Sequence, residues 1–416
     1  GLGMGIPYNE NSRVKVPALV HFTRLNYEYV SLKDYSGRID QDTNIFVDIF
    51  RESINHINQT SISNQDTEKI VNEIGVKLSN DDLGKEFYST LLTGFNGLKL
   101  IDFDSENGSL NKYQIVTEIT YKNGYDEFRP DITVLINGMP LAFIEVKKPN
   151  NKDGIQAEYA RMNKRCQNKK FRRFINITQL MIFSNNSEYD DTEAIPLEGA
   201  FYAASNYDKL FFSHFREENS DILTSIKDID EEIEQFILKD TNLVSIKHSP
   251  EYAVNINPLS PTNKIITSMF SHKRIMMILK YAIAYVERTD DSGITTLEKH
   301  LMRYPQMFAT MAIAKKLNSG IKNGIIWHTQ GSGKTALAYY NVRYLKDYYQ
   351  RQGRIAKFYF VVDRLDLLTQ AADEFRARGL NVKEINSREE FVSDLKYVAS
   401  GSNTGTDTIT VLNIQK

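Results

Sequence analysis

Arg129-Pro-Asp-Ile-Thr-Val-Leu-Ile-Asn-Gly-Met-Pro-Leu-Ala-Phe-Ile-Glu-Val-Lys-Lys-Pro149 holds two apolar, β-branched runs, 131–136 and 141–147, on either side of Asn137-Gly138. Asn-Gly between such runs is the strongest short-range hairpin signal, with Met139-Pro140 expected to complete the loop. Antiparallel pairing outward from that loop sets Asp131 opposite Glu145 to within a residue. The two-residue period of a strand keeps Glu145 and Lys147 on one face. Residues 141–146 are apolar on both faces except at Glu145, as in a buried strand, where an unpaired carboxylate is costly. Two acidic oxygens suit Mg²⁺, which binds through one or two carboxylates together with substrate phosphate. Asp131 and Glu145 are therefore the expected metal ligands. Lys147 is the expected catalytic partner, orienting a water or stabilising developing charge.

Around this hairpin, the 416 residues exceed what one core holds, so two or more domains are expected. Hydrophobic residues at 41% and charged residues at 25% are globular values, and no stretch reaches 18 uninterrupted apolar residues, so no membrane partner is expected. The start, Gly-Leu-Gly-Met-Gly, shows no secretory pattern, and the lone Cys166 excludes an intrachain disulfide, which makes a cytoplasmic location the default. A net charge of -2 hides one strong local cluster: Arg161, Lys164, Arg165, Lys169, Lys170, Arg172 and Arg173 occur without an acid between them. Such a run beside a candidate nuclease centre would give salt-sensitive phosphate binding; a solvated helix face is the alternative.

Periodicity predicts a helix running into a strand at 14–30, helices at 41–58 and 65–93, strands at 112–121, 130–137 and 141–147, a helix at 154–170, and strands at 178–184, 199–204 and 209–213. The fold class is α/β, opening with a mixed sheet flanked by helices. The loop from Lys247 to Pro261 holds three of the ten prolines, and Lys264–Val286 reads as one long apolar helix capped by Thr262 or Asn263. The expected division is 1–250, a helical linker at 251–295, and a parallel α/β domain at 296–416 with strands at 324–329, 356–362, 381–385 and 408–414.

Gly324-Ile-Ile-Trp-His-Thr-Gln-Gly-Ser-Gly-Lys-Thr335 gives an apolar strand, a glycine turn and a helix start, the elements of a phosphate cradle for ATP. Gln330, Gly331, Ser332 and Gly333 would present backbone N–H groups, Lys334 would reach the β- and γ-oxygens, and the Thr335 hydroxyl would hold Mg²⁺. His328 stands where the usual pattern has glycine. Upstream, Tyr304 and Gln306 in Arg303-Tyr-Pro-Gln306 open a helix placed to read an adenine. Phe358–Gln370 reads as a strand passing into a helix. Asp373-Glu374 lies inside a helical stretch, not at a strand end, so the acidic metal box that should follow is absent and the chain is expected to be part of a longer protein.

The order of these blocks resembles the restriction (motor, R) subunit of type I restriction-modification enzymes. It runs from Val16–Val30 through Arg129-Pro-Asp, Glu145-Val-Lys-Lys-Pro149 and Arg303-Tyr-Pro-Gln306 to His328-Thr-Gln-Gly-Ser-Gly-Lys-Thr335. The resemblance implies a PD-(D/E)xK nuclease-like domain followed by a partial RecA-like domain of the superfamily 2 helicase type. It also implies ATP-driven translocation and Mg²⁺-dependent cleavage of double-stranded DNA, with modification (methyltransferase) and specificity subunits as partners. It adds a Gln and a Tyr after the Glu-x-Lys strand. Gln156 and Tyr159 are the matching residues, with two residues between them instead of the usual three, and His21 is either a further residue that approaches the centre or a satisfied surface histidine. Two other readings stay open: a DNA-binding ATPase or helicase whose nuclease-like domain is inactive, and an ATPase of the kinase or transporter type.

Overall fold

The computed structural model describes residues 12–123, 126–147, 149, 154–189, 198–321, 333–399 and 408–414. The chain divides into two compact units, Gly1–Lys280 and Tyr281–Lys416.

The first unit is a seven-stranded mixed sheet with helices packed against it. Its chain order is α1 (Ser12–Arg24), β1 (Glu28–Val30), α2 (Val47–Asn58), α3 (Asn64–Leu78), α4 (Lys85–Thr93) and β2 (Tyr113–Val116). A small ribbon, β3 (Tyr121–Asn123) with β4 (Asp126–Phe128), precedes β5 (Ile132–Ile136), β6 (Met139–Val146), α5 (Gly154–Gln167), α6 (Arg172–Ile177) and β7 (Leu180–Ser184). Then come β8 (Ala200–Ala203), β9 (Ser213–His214), α7 (Glu231–Asp240), α8 (Pro250–Asn255), α9 (Pro261–Phe270) and α10 (His272–Tyr281), whose last residue opens the second unit. The sheet order is β1-β2-β5-β6-β7-β8-β9. β1–β2 and β6–β7 are parallel, and the other neighbours antiparallel. The expected mixed sheet is thus observed. Helices α5 and α6 form the crossover that parallel β6 and β7 require.

One face of the sheet carries Phe143, Met181, Phe183 and Ala203, and these join Met162 and Cys166 of α5 and Phe174 of α6 in one buried cluster. Residues in register across a sheet share a face, so the row Glu145, Phe183, Phe201, His214 looks toward this same side. α1 packs against α7, α8 and α9. Pro17 inside α1 has no N–H for the carbonyl of Arg13, and the amide of Asn255 in α8 donates to that carbonyl instead (3.1 Å).

The helix expected at 65–93 is broken after Leu78 into α3 and α4, and two further expectations fail. The prolines taken for a linker start helices: Pro250 and Pro261 occupy the first turns of α8 and α9, behind Ser249 and Ser260, where a missing N–H costs nothing. The long helix expected over 264–286 breaks at Ser271 into α9 and α10, and residues 283–301 form a hairpin. The stretch 251–295 is therefore no helical linker: its first thirty residues pack within the first unit, and the rest is largely β.

The second unit contains the hairpin β10 (Ile283–Thr289) and β11 (Thr295–Leu301), then α11 (Tyr304–Asn318), α12 (Lys334–Gln350), β12 (Phe358–Val362), α13 (Leu365–Ala377), β13 (Asn381–Ile385), α14 (Arg388–Ala399) and β14 (Thr408–Asn413). β12, β14 and β13 form a parallel sheet in that order, as alternating strands and helices predict. The strand expected at 324–329 lies outside the described residues. Glu374 sits in α13 and accepts from Arg288 and Arg378, which hold its carboxyl down at about 2. That is an ion-pair role, as its helical setting predicts. No helix among the described residues is long and apolar enough to cross a membrane.

Candidate active site

The turn is tighter than expected. Asn137 and Gly138 both take positive φ (53° and 78°), and Ile136 pairs with Met139, so the loop is the two-residue hairpin turn and Met139-Pro140 belong to β6. Buried Asn137 donates to the carbonyls of Leu100 and, side chain to side chain, Asn111, and accepts from the Lys112 N–H. Gly138 rests on the start of α2, where Phe46 N–H donates to its carbonyl (2.9 Å).

Near the turn Leu135 faces Pro140, but Val134 faces Ala142, so a β-bulge inserts Leu141 into β6. That one residue aligns the site. With the first register continued, Asp131 would oppose Ile144 and Glu145 would point to the other face. With the bulge, Ile132 opposes Ile144 and the next step outward brings Asp131 to Glu145. Asp131 is then tied to the end of β6 twice: its N–H donates to Glu145 Oε1, and Val146 N–H donates to its Oδ2, both at 2.9 Å.

Their ionisation reflects crowding. Burial pushes the Glu145 carboxyl well above the ordinary range, and the neighbouring Asp131 and Glu158 charges push it further. Asp131 is also raised by burial, held back by the Val146 N–H, by Lys15 and Lys147, and by a hydrogen bond with Glu145. Each charge therefore opposes ionisation of the other. Two adjacent hard oxygen donors that repel each other, Glu145 buried and Asp131 partly so, fit a divalent ion such as Mg²⁺, which binds through one or two carboxylates together with water and phosphate. Among the described residues no group of three or more His, Cys, Asp or Glu side chains could hold a metal by itself.

Lys147 lies one step beyond β6, its N–H donating to Ser184 of β7 (2.8 Å) and its ammonium 3.1 Å from Glu158 of α5. The structure thus gathers Asp131, Glu145 and Lys147. It does not bring Gln156 and Tyr159 to them. Gln156 is exposed, and Tyr159 packs edge-on against Phe212 and donates to the Leu210 carbonyl (3.2 Å). Between them in sequence, buried Glu158 faces the centre. The sequence carries one signal for it: a single acid just ahead of the run of seven bases. Lys15 of α1, ion-paired to Glu118 at 3.7 Å, also reaches Asp131 electrostatically, and nothing in the sequence pointed to it. His21 is neither at the centre nor on the surface. It is buried, accepts from Arg24 and bonds Thr267 (2.6 Å), and burial followed by the Arg24 charge keeps it neutral.

The basic run is largely neutralised. Arg161 pairs with Glu158, Lys170 with Asp126, Arg172 with Asp81 and Arg173 with Asp42, while Arg165 stacks over Phe128 at 4.0 Å. Lys164 and Lys169 are exposed, with no acidic partner among the described residues. They are what remains of the seven for a phosphate backbone.

Of the phosphate loop, Gln330, Gly331 and Ser332 lie outside the described residues. Gly333 is described, with φ 83°, directly before Lys334 and Thr335 in the first turn of α12. A side chain there would meet the Gln306 amide at 2.6 Å. Gln306 is buried. Its oxygen accepts from Arg303 N–H (3.0 Å), capping α11, and its nitrogen donates to the Gly333 carbonyl (3.2 Å). It therefore fastens the end of the loop to α11.

Residues 7–192 match the family described as the type I restriction enzyme R protein N terminus, and residues 299–416 match the type III restriction enzyme res subunit. The chain is 26% identical over 345 residues to the type I restriction enzyme SsaAORF53P endonuclease subunit of Staphylococcus saprophyticus, covering 77% of this chain and 31% of that protein. It is 24% identical over 430 residues to the putative type I restriction enzyme MjaIXP endonuclease subunit of Methanocaldococcus jannaschii, covering 94% and 36%. The chain thus spans about a third of the length of these relatives. Its two matched regions, in this order, together with relatives named as type I endonuclease subunits, support an R subunit of a type I restriction system.

Proposed function

We propose that this chain carries the nuclease centre and the first part of the motor of an ATP-dependent restriction endonuclease acting on double-stranded DNA. The first unit is the PD-(D/E)xK nuclease domain and the second begins a RecA-like ATPase domain. Methyltransferase and specificity subunits complete the assembly. The observation that carries this reading is the Asp131–Glu145 pair, brought together by a bulge-shifted register and held by N–H to carboxylate hydrogen bonds from Asp131 and Val146, with Lys147 beside it.

When bound, Mg²⁺ would polarise the scissile phosphate and make a bound water acidic enough to attack it. Asp131 and Glu145 would hold that ion, and its charge would offset the repulsion between the two carboxylates. Lys147 presents a fixed positive charge to the phosphate oxygens, where negative charge develops. In the motor, the Gly333 backbone, Lys334 and Thr335 bind the ATP phosphates at the N-terminus of α12, and Tyr304 and Gln306 flank the nucleotide.

The test uses the full-length subunit in its complex. Asp131→Ala and Lys147→Ala abolish DNA cleavage while leaving DNA-stimulated ATP hydrolysis intact, and Lys334→Ala removes both. Cleavage at the wild-type rate by Lys147→Ala would show the nuclease assignment to be wrong.

A further inference from the structure

Burying Glu158 beside Asp131 and Glu145 adds a third negative charge to a crowded centre, where an acid is expensive unless it holds something. What it holds is Lys147, whose ammonium is 3.1 Å from its carboxylate and largely buried with it. Arg161 also touches Glu158 but is half-exposed, so the arginine alone does not account for the burial. A lysine carries its charge on a flexible four-carbon stem, whereas a group that acts on a transition state must be fixed to within about an ångström. Here both ends of Lys147 are fixed, the backbone by Ser184 of β7 and the ammonium by Glu158 of α5.

We propose that Glu158 is the positioning residue for Lys147: it clamps the ammonium beside the Asp131–Glu145 pair and itself touches neither the ion nor DNA. This rests on the nuclease reading above. It assigns to α5 a role filled by the residue between Gln156 and Tyr159 and by neither of them. Because the clamp needs a charge of the right reach, an isosteric neutral side chain fails, and a shorter charged one restores part of the function.

The experiment compares Glu158→Gln and Glu158→Asp with wild type in the complete complex. Cleavage is followed across a Mg²⁺ titration, DNA affinity is measured with Ca²⁺ in place of Mg²⁺, and DNA-stimulated ATP hydrolysis and melting temperature are recorded. Glu158→Gln should lower the maximal cleavage rate about a hundredfold, the scale of a 1 Å misplacement. The half-saturating Mg²⁺, the Ca²⁺-supported DNA affinity, the ATPase rate and the melting temperature stay at wild-type values. Glu158→Asp recovers at least about a tenth of the wild-type rate, since the charge returns with a shorter reach. Cleavage by Glu158→Gln within about twofold of wild type, the size of a neutral surface change, overturns the clamp. So does a loss of cleavage that comes with a fall in melting temperature and DNA affinity and that Glu158→Asp does not relieve, which makes Glu158 a structural residue. If Lys147→Ala itself cleaves DNA, the nuclease reading fails instead, and the two failures are told apart by that control.

Discussion

Replacing Glu145 with Gln should destroy cleavage and, in the absence of metal, stabilise the protein increasingly as the pH rises. The folded chain holds the Glu145 carboxyl well above its ordinary value of 4.5, because burial and then Asp131 and Glu158 oppose its charge. Folding therefore favours the protonated acid, and the stability it contributes is fully present below about 4.5 and is lost as the pH climbs through the raised folded value. Over that window the loss is about 1.4 kcal/mol for each pH unit, one proton's worth. Gln keeps the shape, keeps an oxygen to accept the Asp131 N–H, and offers Asp131 an N–H where the acid offered its proton. The variant has no such proton to lose. Melting curves by far-ultraviolet circular dichroism, taken in EDTA from about pH 5 to about pH 8, should show wild type falling away from Glu145→Gln, with the gap levelling off where the buried acid ionises in the folded chain. Saturating Mg²⁺ should reverse the order by stabilising wild type, by about 2.7 kcal/mol at a hundred times its dissociation constant, and the variant far less. Parallel curves in EDTA, or a variant less stable than wild type at pH 8, would refute the picture of two carboxyls crowded into one buried site.

Gly138→Ala should cost about 2–5 kcal/mol in urea unfolding, because the turn holds a positive φ of 78° that an added carbon disfavours, and that carbon would lie 2.7 Å from the Phe46 carbonyl at the start of α2; a loss below about 1 kcal/mol would mean that the turn does not rest there. Tyr159→Phe removes one hydrogen bond to Leu210, so it should cost about 1 kcal/mol of stability and leave cleavage at the wild-type rate. A catalytic Tyr159 would show itself in that rate. Lys164→Ala and Lys169→Ala should each weaken DNA binding and reduce the slope of log affinity against log salt by about 1, whereas Arg172→Ala, paired with Asp81 and stacked over Tyr207, should lower the melting temperature and leave that slope unchanged.

The parts of this molecule that could be read from its sequence are those set by neighbours in the chain. Asn137-Gly138 announces its turn, because two positive φ angles in a row suit few other dipeptides, and the glycine before Lys334 announces a helix start in the same way. The register was harder. β6 is buried on both faces, so Leu141 looks like its neighbours and the alternation carries no phase by which to place a bulge. The expected four-residue loop erred by two residues at the turn, the unseen bulge moved the pairing back by one, and the carboxylates still came within a residue of each other. Charge partners are more distant still: Asp42, Asp81 and Asp126 neutralise arginines and a lysine between 44 and 131 residues away, which a count over thirteen residues cannot register. Lys15 comes to Asp131 from 116 residues upstream, through the packing of α1, and no local pattern encodes that. Glu158 is close in sequence to Lys147, yet nothing local marks it as the buried acid of α5. Polar residues at a helical spacing have meaning only once the buried face is known, and on α5 that face is fixed by Met162 and Cys166. From it, Glu158 turns toward the end of β6 where Lys147 lies, Arg161 one turn on reaches back to Glu158, and Gln156 falls on the solvent side. The chemistry was therefore legible in which residue types the hairpin carries, and its geometry in what the neighbouring helix buries.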